Sequence, residues 1–147
     1  MTTTVLGVAD VLLVEDDPGD VMLTRDSFED CHLGLNLHVA SDGEEALSFL
    51  HRAGEFAGVP RPALILLDLN LPRKSGREVL AEIKGDAILR RIPVVVLTTS
   101  QSEEDVMTVY NLNANCYVTK PADLDDYLKT IRCLEEFWLR VARLPTE

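Results

Sequence analysis

Three acidic residues stand in a row directly after a short apolar run near the start of the chain. Glu15, Asp16 and Asp17 follow the sequence VLLV. A fourth carboxylate, Asp68, closes a second apolar run, LILL. Like charges held within a few ångströms raise one another's pKa and destabilise a fold unless a cation offsets them. Because carboxylates are hard oxygen ligands and no histidine or cysteine stands beside them, the pattern predicts a site for Mg²⁺ or Mn²⁺.

Two further polar residues follow apolar runs later in the chain and have the chemistry to complete a reaction centre. Thr98 ends the run VVVLT, and Lys120 follows CYVT. A divalent metal that brings a phosphoryl group to a carboxylate allows attack by that carboxylate, which yields an aspartyl phosphate. A lysine then neutralises phosphoryl charge, and a threonine hydroxyl donates to a phosphoryl oxygen. These residue types predict phosphoryl transfer, provided that the fold brings them together.

Short runs rich in valine, isoleucine and leucine alternate with helical periodicity and indicate how these residues meet. The runs are DVLLV (10–14), LHVA (37–40), LILLD (64–68), VVVLT (94–98) and CYVT (116–119). A helix-start signal follows each run, at Asp17, at Ser41 or Asp42, at Ser75, at Ser102 and at Asp123. We therefore predict an α/β domain with a doubly wound, five-stranded parallel sheet. Residues just beyond the carboxyl ends of such strands share one edge, where ligands bind.

Composition narrows the class of protein. With 25 acidic and 14 basic residues among 147, the formal net charge is −11, which disfavours binding to nucleic acid or to anionic membranes. The chain shows no charged and apolar leader, and no apolar run approaches the ~20 residues of a membrane span. Its three cysteines form no CxxC pair, which argues against zinc and a disulfide framework. We expect a cytoplasmic protein.

Four motifs, VLLVEDD, ILLDLNLP, VVVLTTS and YVTKP, resemble in order and spacing the receiver domain of two-component response regulators. The resemblance implies a flavodoxin-like sheet of strand order 2-1-3-4-5 and phosphotransfer from the phosphohistidine of a sensor histidine kinase. It also implies a receiver domain over 8–144, with short flexible termini at 1–7 and 145–147. Such a protein is not a metabolic enzyme, since it catalyses only its own phosphorylation and dephosphorylation.

The resemblance assigns roles to the acidic residues. Asp68 is implied as the phosphoacceptor, and Glu15 and Asp16 as the pair that binds Mg²⁺ together with it. Asn70 matches the position whose backbone carbonyl completes the metal site. Asp17, by contrast, stands before a proline and has the chemistry of a helix cap, so we predict a capping role for it.

The remaining motif residues receive roles in the same way. Thr98 and Tyr117 match a switch pair, in which the hydroxyl moves to the phosphoryl group and the aromatic ring turns inward. Lys120 matches the phosphate-binding lysine. The family further implies a cis peptide bond between Lys120 and Pro121, of the kind that X-Pro bonds tolerate at low cost.

Two other stretches, HRAGEFAGVPRPA and the final EEFWLRVARLP, resemble single-domain regulators that partner phytochrome-type histidine kinases. The last helix, predicted over 123–143, would be about 32 Å long, against about 17 Å for a five-residue strand, and must overhang the sheet. Its neighbouring residues Phe137 and Trp138 point about 100° apart and cannot both face one core. Because aromatic residues favour interfaces, we predict a homodimer through this helix and the fifth strand, with Tyr127, Phe137 and Trp138 at the contact.

Since the chain ends with its fifth helix, a stand-alone regulator whose output is a protein contact is the leading hypothesis. A flavodoxin-like module that binds a small molecule would need a phosphate-binding loop of Gly, Ser or Thr after the first strand, where EDDPGD would repel phosphate. An aspartyl-phosphate hydrolase would need an acid two residues after Asp68, where Asn70 stands. A receiver that acts as a scaffold and is never phosphorylated stays open.

Overall fold

The structure is a computed structural model that describes residues 9–30 and 34–145. Residues 1–7 and 146–147 of the termini that the sequence predicts to be flexible lie outside the described residues. Within the described ranges, no helix has both the length and the apolar character that crossing a membrane requires.

Five parallel strands form one sheet in the order β2-β1-β3-β4-β5, which confirms the predicted topology. The strands are β1 (Ala9–Val14), β2 (Leu35–Ala40), β3 (Leu64–Leu67), β4 (Val94–Thr98) and β5 (Cys116–Thr119). Val14 pairs with Leu67, and Thr98 pairs with Thr119, so the carboxyl ends of neighbouring strands are level with one another. The register thus presents the residues that follow each strand at a common edge.

Within the described residues, five α-helices connect and flank the strands: α1 (Pro18–Asp30), α2 (Gly43–Leu50), α3 (Gly76–Gly85), α4 (Glu103–Asn111) and α5 (Leu124–Glu136). Short 3₁₀ turns lie at Gly54–Phe56 and Leu89–Arg91. The side chains of the predicted caps Asp42, Ser75, Ser102 and Asp123 each accept a hydrogen bond from the backbone N–H three residues on. Of the two residues proposed to start α2, Asp42 is therefore the cap, and Ser75 forms a complete capping box with Glu78.

The sheet has a hydrophobic layer on each face because successive strand residues point to opposite sides. Leu12, Ile65 and Val96 belong to the layer that α2, α3 and α4 cover. Leu13 and Leu66 belong to the other layer, which α1 and α5 cover. Both faces of the central strands are buried, as their unbroken apolar sequences predict.

The end of the last helix differs from the prediction. The α-helix ends at Glu136 and continues as a π-helical turn, Phe137–Val141, closed by a hydrogen bond from the N–H of Ala142 to the carbonyl of Phe137 (2.7 Å). Phe137 is exposed, whereas Trp138 packs partly against the core, so the two neighbouring rings do face different surroundings.

Tyr127 was predicted at an interface, and that prediction is wrong. Its side chain is only 5% exposed and packs inside the layer between the sheet and α1. The reason is helical periodicity, since Tyr127 lies one turn before Ile131 and two turns before Leu134 on the face that the helix turns to the sheet.

Candidate functional site

The parallel ladder of the sheet continues for one residue beyond three of the strands and thereby fixes the site. The backbone N–H groups of Glu15, Asp68 and Lys120 each donate to the carbonyl of the last residue of a neighbouring strand, at 3.0, 3.1 and 2.7 Å. These residues are therefore held like strand residues although they lie past the strand ends. Their side chains meet at one edge of the sheet, as the sequence predicts.

Three carboxylates come together at this edge. Glu15, Asp16 and Asp68 each place one oxygen so that the three atoms lie within 4.8 Å of one another. Glu15 and Asp68 are buried, whereas Asp16 is exposed and leaves the cluster open to solvent. A partial set of hard oxygen ligands with room for water is what Mg²⁺ and Mn²⁺ favour, so the residues present fit such a cation. The N–H of Asn70 donates to Oδ1 of Asp68 (3.2 Å), while the role of the Asn70 carbonyl stays a prediction.

Lys120 lies among the carboxylates with its ammonium group buried. Its Nζ donates to Oε1 of Glu15 (2.5 Å), to Oδ2 of Asp20 (2.8 Å) and to Oδ2 of Asp68 (3.1 Å). Burial by itself would lower the pKa of Lys120, but the hydrogen bonds with Asp20 and Glu15 outweigh it and hold that pKa above its ordinary value. Lys120 is therefore a permanent cation next to the predicted phosphoacceptor.

Glu15 shows that one ammonium group does not neutralise the cluster. Burial, together with the charge of Asp68, raises the pKa of Glu15 from 4.5 to about 7 despite the hydrogen bond from Lys120. When Glu15, Asp16, Asp20 and Asp68 are all ionised, four negative charges face one positive charge. The site thus favours additional positive charge, in line with the cation expected from the sequence.

Asp20 is the member of the site that the sequence reasoning missed. The capping role predicted for Asp17 is confirmed: its Oδ1 accepts from the N–H of Gly19 (2.9 Å) and its carbonyl accepts from the N–H of Val21 (3.0 Å). Asp20 instead reaches Lys120. A usable signal was its place in the first turn of α1, because that turn begins at the same edge of the sheet as Glu15.

The predicted switch pair meets at a single residue of the loop between β4 and α4. Thr98 is fully buried, and its Oγ1 accepts a long hydrogen bond from the N–H of Ser100 (3.5 Å). The hydroxyl of Tyr117 donates to the carbonyl of Ser100 (2.8 Å), and its ring packs partly against the core. The backbone carbonyl of Thr98 accepts from the N–H of Lys120, so the end of β4 is hydrogen-bonded to a residue of the charged cluster.

The cis peptide bond implied before Pro121 is absent. No cis peptide bond occurs within 9–30 or 34–145, so the bond between Lys120 and Pro121 is trans and the expectation is wrong. An X-Pro bond prefers the trans form by about 0.5–1 kcal/mol when nothing around it requires the cis form.

Fold and site together match one class of protein. The model of the response regulator receiver domain matches residues 11–132, a range that contains every site residue from Glu15 to Lys120. The chain therefore belongs to the response regulator receiver family.

Its similar proteins include regulators associated with phytochromes. The response regulator Rcp1 of Synechocystis sp. is 50% identical over 135 residues, which are 92% of each chain. The structure of the phosphorylated cyanobacterial phytochrome response regulator RcpA is 47% identical with a TM-score of 0.92, over 94% of this chain and 99% of that one. The Mn²⁺-bound form of Rcp1 is 48% identical with a TM-score of 0.91, over the same shares of the chains. These matches confirm the closer resemblance that the two longer stretches indicate.

Proposed function

We propose that this protein is a stand-alone response regulator, with a receiver domain over 8–144, that accepts a phosphoryl group on Asp68 from a sensor histidine kinase. The observation that supports this assignment is the position of the Asp68 carboxylate. It lies 3.1 Å from the ammonium group of Lys120 and shares a cluster with Glu15 and Asp16. A buried carboxylate that served the fold alone would not need two further acids beside it.

The chemistry follows from these neighbours. A carboxylate oxygen of Asp68 attacks phosphorus, a C–O–P linkage forms, and the P–N bond to the kinase histidine breaks as the imidazole leaves and takes up a proton. Glu15, Asp16 and Asp68 are the residues that would hold Mg²⁺ or Mn²⁺, which supplies positive charge to the phosphoryl oxygens when bound. Lys120 neutralises further charge, and the Thr98 hydroxyl is the donor expected to turn to the phosphoryl group.

We assign the kinase to the phytochrome type on the strength of the similar proteins. RcpA is a phytochrome response regulator, and Rcp1 shares half of its aligned residues with this chain. The acidic net charge of −11 makes the kinase a better partner for this protein than nucleic acid or an anionic membrane.

The output is a protein contact that phosphorylation favours, and the surface we assign to it comprises α4, β5 and α5. Met107 and Tyr110 stand exposed one turn apart on α4, and Phe137 is exposed after α5. Tyr110 also contacts the switch strand, because its hydroxyl accepts from the N–H of Tyr117 (3.2 Å). A second copy of the chain is the occupant that we propose for the part around Phe137 and Trp138.

Intact-mass measurement tests the acceptor. The wild-type protein, incubated with acetyl phosphate and Mg²⁺, should gain ~80 Da, and a chelator should prevent the gain. Asp68→Asn should gain nothing, whereas Asp26→Asn, which changes an exposed aspartate of α1, should behave as wild type. An adduct that persists in Asp68→Asn would refute the assignment, and a wild type that gains no mass would favour the unphosphorylated scaffold.

Analytical ultracentrifugation tests the dimer. Phe137→Ala and Trp138→Ala should shift the phosphorylated protein toward the monomer because both remove aromatic surface from the proposed contact. Met22→Ala removes an exposed apolar side chain from α1, away from the proposed contact, and should leave the distribution unchanged. A wild type that sediments as a monomer at high concentration, with and without acetyl phosphate, rules the dimer out.

A further inference from the structure

Three side chains from three elements hold the loop between β4 and α4. The hydroxyl of Ser100 donates to Oδ2 of Asp105 (2.5 Å), in the first turn of α4. The other oxygen of Asp105 accepts from the guanidinium group of Arg77, in the first turn of α3. We call the set Arg77, Asp105 and Ser100 the α3–α4 latch. It joins two neighbouring helices to the loop that contacts both predicted switch residues.

One end of the latch rests on the backbone of the predicted phosphoacceptor. Arg77 follows Gly76, whose N–H donates to the carbonyl of Leu69 (2.9 Å). A Cβ atom at Gly76 would lie 2.2 Å from the carbonyl oxygen of Asp68, so only glycine allows the helix to start this close. The first turn of α3 and the backbone at Asp68 must therefore move together.

The other end of the latch lies at the switch pair. Ser100 offers its side chain to Asp105, while its backbone N–H contacts Thr98 Oγ1 and its carbonyl accepts from Tyr117. One residue of the latch thus contacts both switch side chains. A displacement of Asp105 changes the position from which Ser100 meets Thr98 and Tyr117.

Magnitudes argue against a purely stabilising role for the ion pair. The side chains of Arg77 and Asp105 are 37% and 17% exposed, and an ion pair this open to solvent contributes only about 0.2–1 kcal/mol to folding. Hydrogen bonds from Ser100 and Arg77 hold the pKa of Asp105 below its usual range, so the pair is charged at neutral pH. Its directional contacts, more than its energy, distinguish it from an ordinary surface pair.

We propose that Arg77 and Asp105 are positioning residues. They hold Ser100 where its backbone can contact the side chains of Thr98 and Tyr117, and through α3 they couple the β4–α4 loop to the phosphoacceptor. The proposal rests on the proposed function of Asp68 for its role in signalling. The structural part concerns the protein before phosphorylation and can be tested separately.

Fluorine NMR of the protein labelled with 3-fluorotyrosine tests the structural part. The chain has three tyrosines, and Tyr117→Phe assigns the relevant signal. Without any phosphodonor, Arg77→Gln and Asp105→Asn should move the Tyr117 signal toward its position in the unfolded protein, because the ring loses the Ser100 carbonyl. The Tyr127 signal should stay in place and report an intact core.

An ion pair between α3 and the residues just before it serves as the control. Glu82 of α3 accepts from Lys74 (3.2 Å), and both are similarly exposed, but neither contacts the β4–α4 loop in the structure. Glu82→Gln should therefore leave the Tyr117 signal unmoved, and Arg77→Lys should restore part of the wild-type position. An unchanged Tyr117 signal in both latch variants, with the Tyr127 signal native, would overturn the proposal.

The coupling to phosphorylation is tested by a double-mutant cycle on the lifetime of the mass adduct after acetyl phosphate is removed. Each latch variant should shorten the lifetime by about 2- to 30-fold, the range of coupling that such networks carry. The double variant Arg77→Gln/Asp105→Asn should shorten the lifetime no more than either single variant does, because each single change already breaks the same latch. Additive losses, or unchanged lifetimes, contradict the coupling. Failure of the wild type to form any adduct contradicts the proposed function instead and leaves the NMR test standing.

Discussion

Glu15 and Glu135 are two buried glutamates, each 3% exposed and each with its pKa raised to about 7, but their surroundings differ. Glu15 lies at the carboxyl edge of the sheet, against the ammonium group of Lys120 and near the carboxylate of Asp68. Glu135 lies between α5 and α1, where the hydroxyl of Ser27 donates to its Oε2 (3.0 Å). Burial is the largest cause of the raised pKa at both glutamates.

The difference shows that a raised pKa does not by itself identify a functional site. At Glu135 one hydroxyl satisfies one oxygen, and the contact joins two helices. At Glu15 charged groups from three strand ends and the first turn of α1 converge, and their sum is negative. The arrangement at Glu15 differs because charged groups from separate elements converge there and leave a net charge that a bound ligand can neutralise.

Among changes at these two glutamates, replacing Lys120 should cause the largest loss in the free energy of unfolding. Lys120→Met leaves Glu15, Asp20 and Asp68 without their cation, and breaking a buried ion pair in this way costs about 3–5 kcal/mol. We expect that loss in the free energy of unfolding, measured with urea at pH 8 without Mg²⁺. The loss should be smaller at pH 5, below the raised pKa of Glu15, where that carboxyl group is protonated and needs no cation. Ser27→Ala at the other glutamate should cost only about 1–3 kcal/mol. Equal losses in the two variants would contradict the distinction.

Glu135→Gln should reveal the unfavourable ionisation at the second glutamate. Because the folded-state pKa of about 7 exceeds the ordinary value of 4.5, the folded state binds the proton more tightly, and wild-type stability falls as pH rises from 4.5 through 7. Glutamine does not titrate. The free energy of unfolding of the variant should therefore exceed that of the wild type by up to roughly 3 kcal/mol at pH 8, and by nothing below about pH 4.5. Urea unfolding at pH 4.5, 6 and 8 measures the difference; a gain independent of pH would show that Glu135 is not the titrating group.

Mg²⁺ should act on one glutamate site and not on the other. At 10–100 times its dissociation constant, the ion should raise the free energy of unfolding of the wild type by about 1–3 kcal/mol, because it binds the folded state. Asp16→Asn should lose this gain, whereas Glu135→Gln should keep it in full. Thermal unfolding with and without Mg²⁺ at constant ionic strength is the measurement, and a gain retained by Asp16→Asn would remove Asp16 from the cation site.

Tyr127→Phe should cause the smallest change in the free energy of unfolding. The tyrosine hydroxyl lies 3.4 Å from Oγ1 of Thr24, a long contact whose loss should cost at most about 1 kcal/mol. Urea unfolding at pH 7 checks the value, and the ring itself stays in place to fill the core. A loss of several kcal/mol would mean that the hydroxyl takes part in the network around Lys120.

Much of the fold and the centre of the site were predictable because both follow from local patterns. Unbroken apolar runs mark parallel strands, and every parallel strand points the same way, so Glu15, Asp68 and Lys120 had to share one edge. The caps at Asp42, Ser75, Ser102 and Asp123 follow from side-chain chemistry within one turn of the chain. Such signals depend on neighbours in sequence, and the sequence contains them in full.

The partners of long side chains were not predictable in the same way. Whether Asp20 reaches Lys120 depends on where α1 packs on the sheet, and whether Arg77 reaches Asp105 depends on how far α3 and α4 stand apart. Tyr127 was assigned to an interface because its residue type favours one, yet the rotation of α5 turns it into the core. Residue types and their spacing therefore established the class of chemistry and the edge at which it takes place. The packing of helices against the sheet, which sums many weak contacts over the whole domain, selected the particular pairs of side chains that meet there.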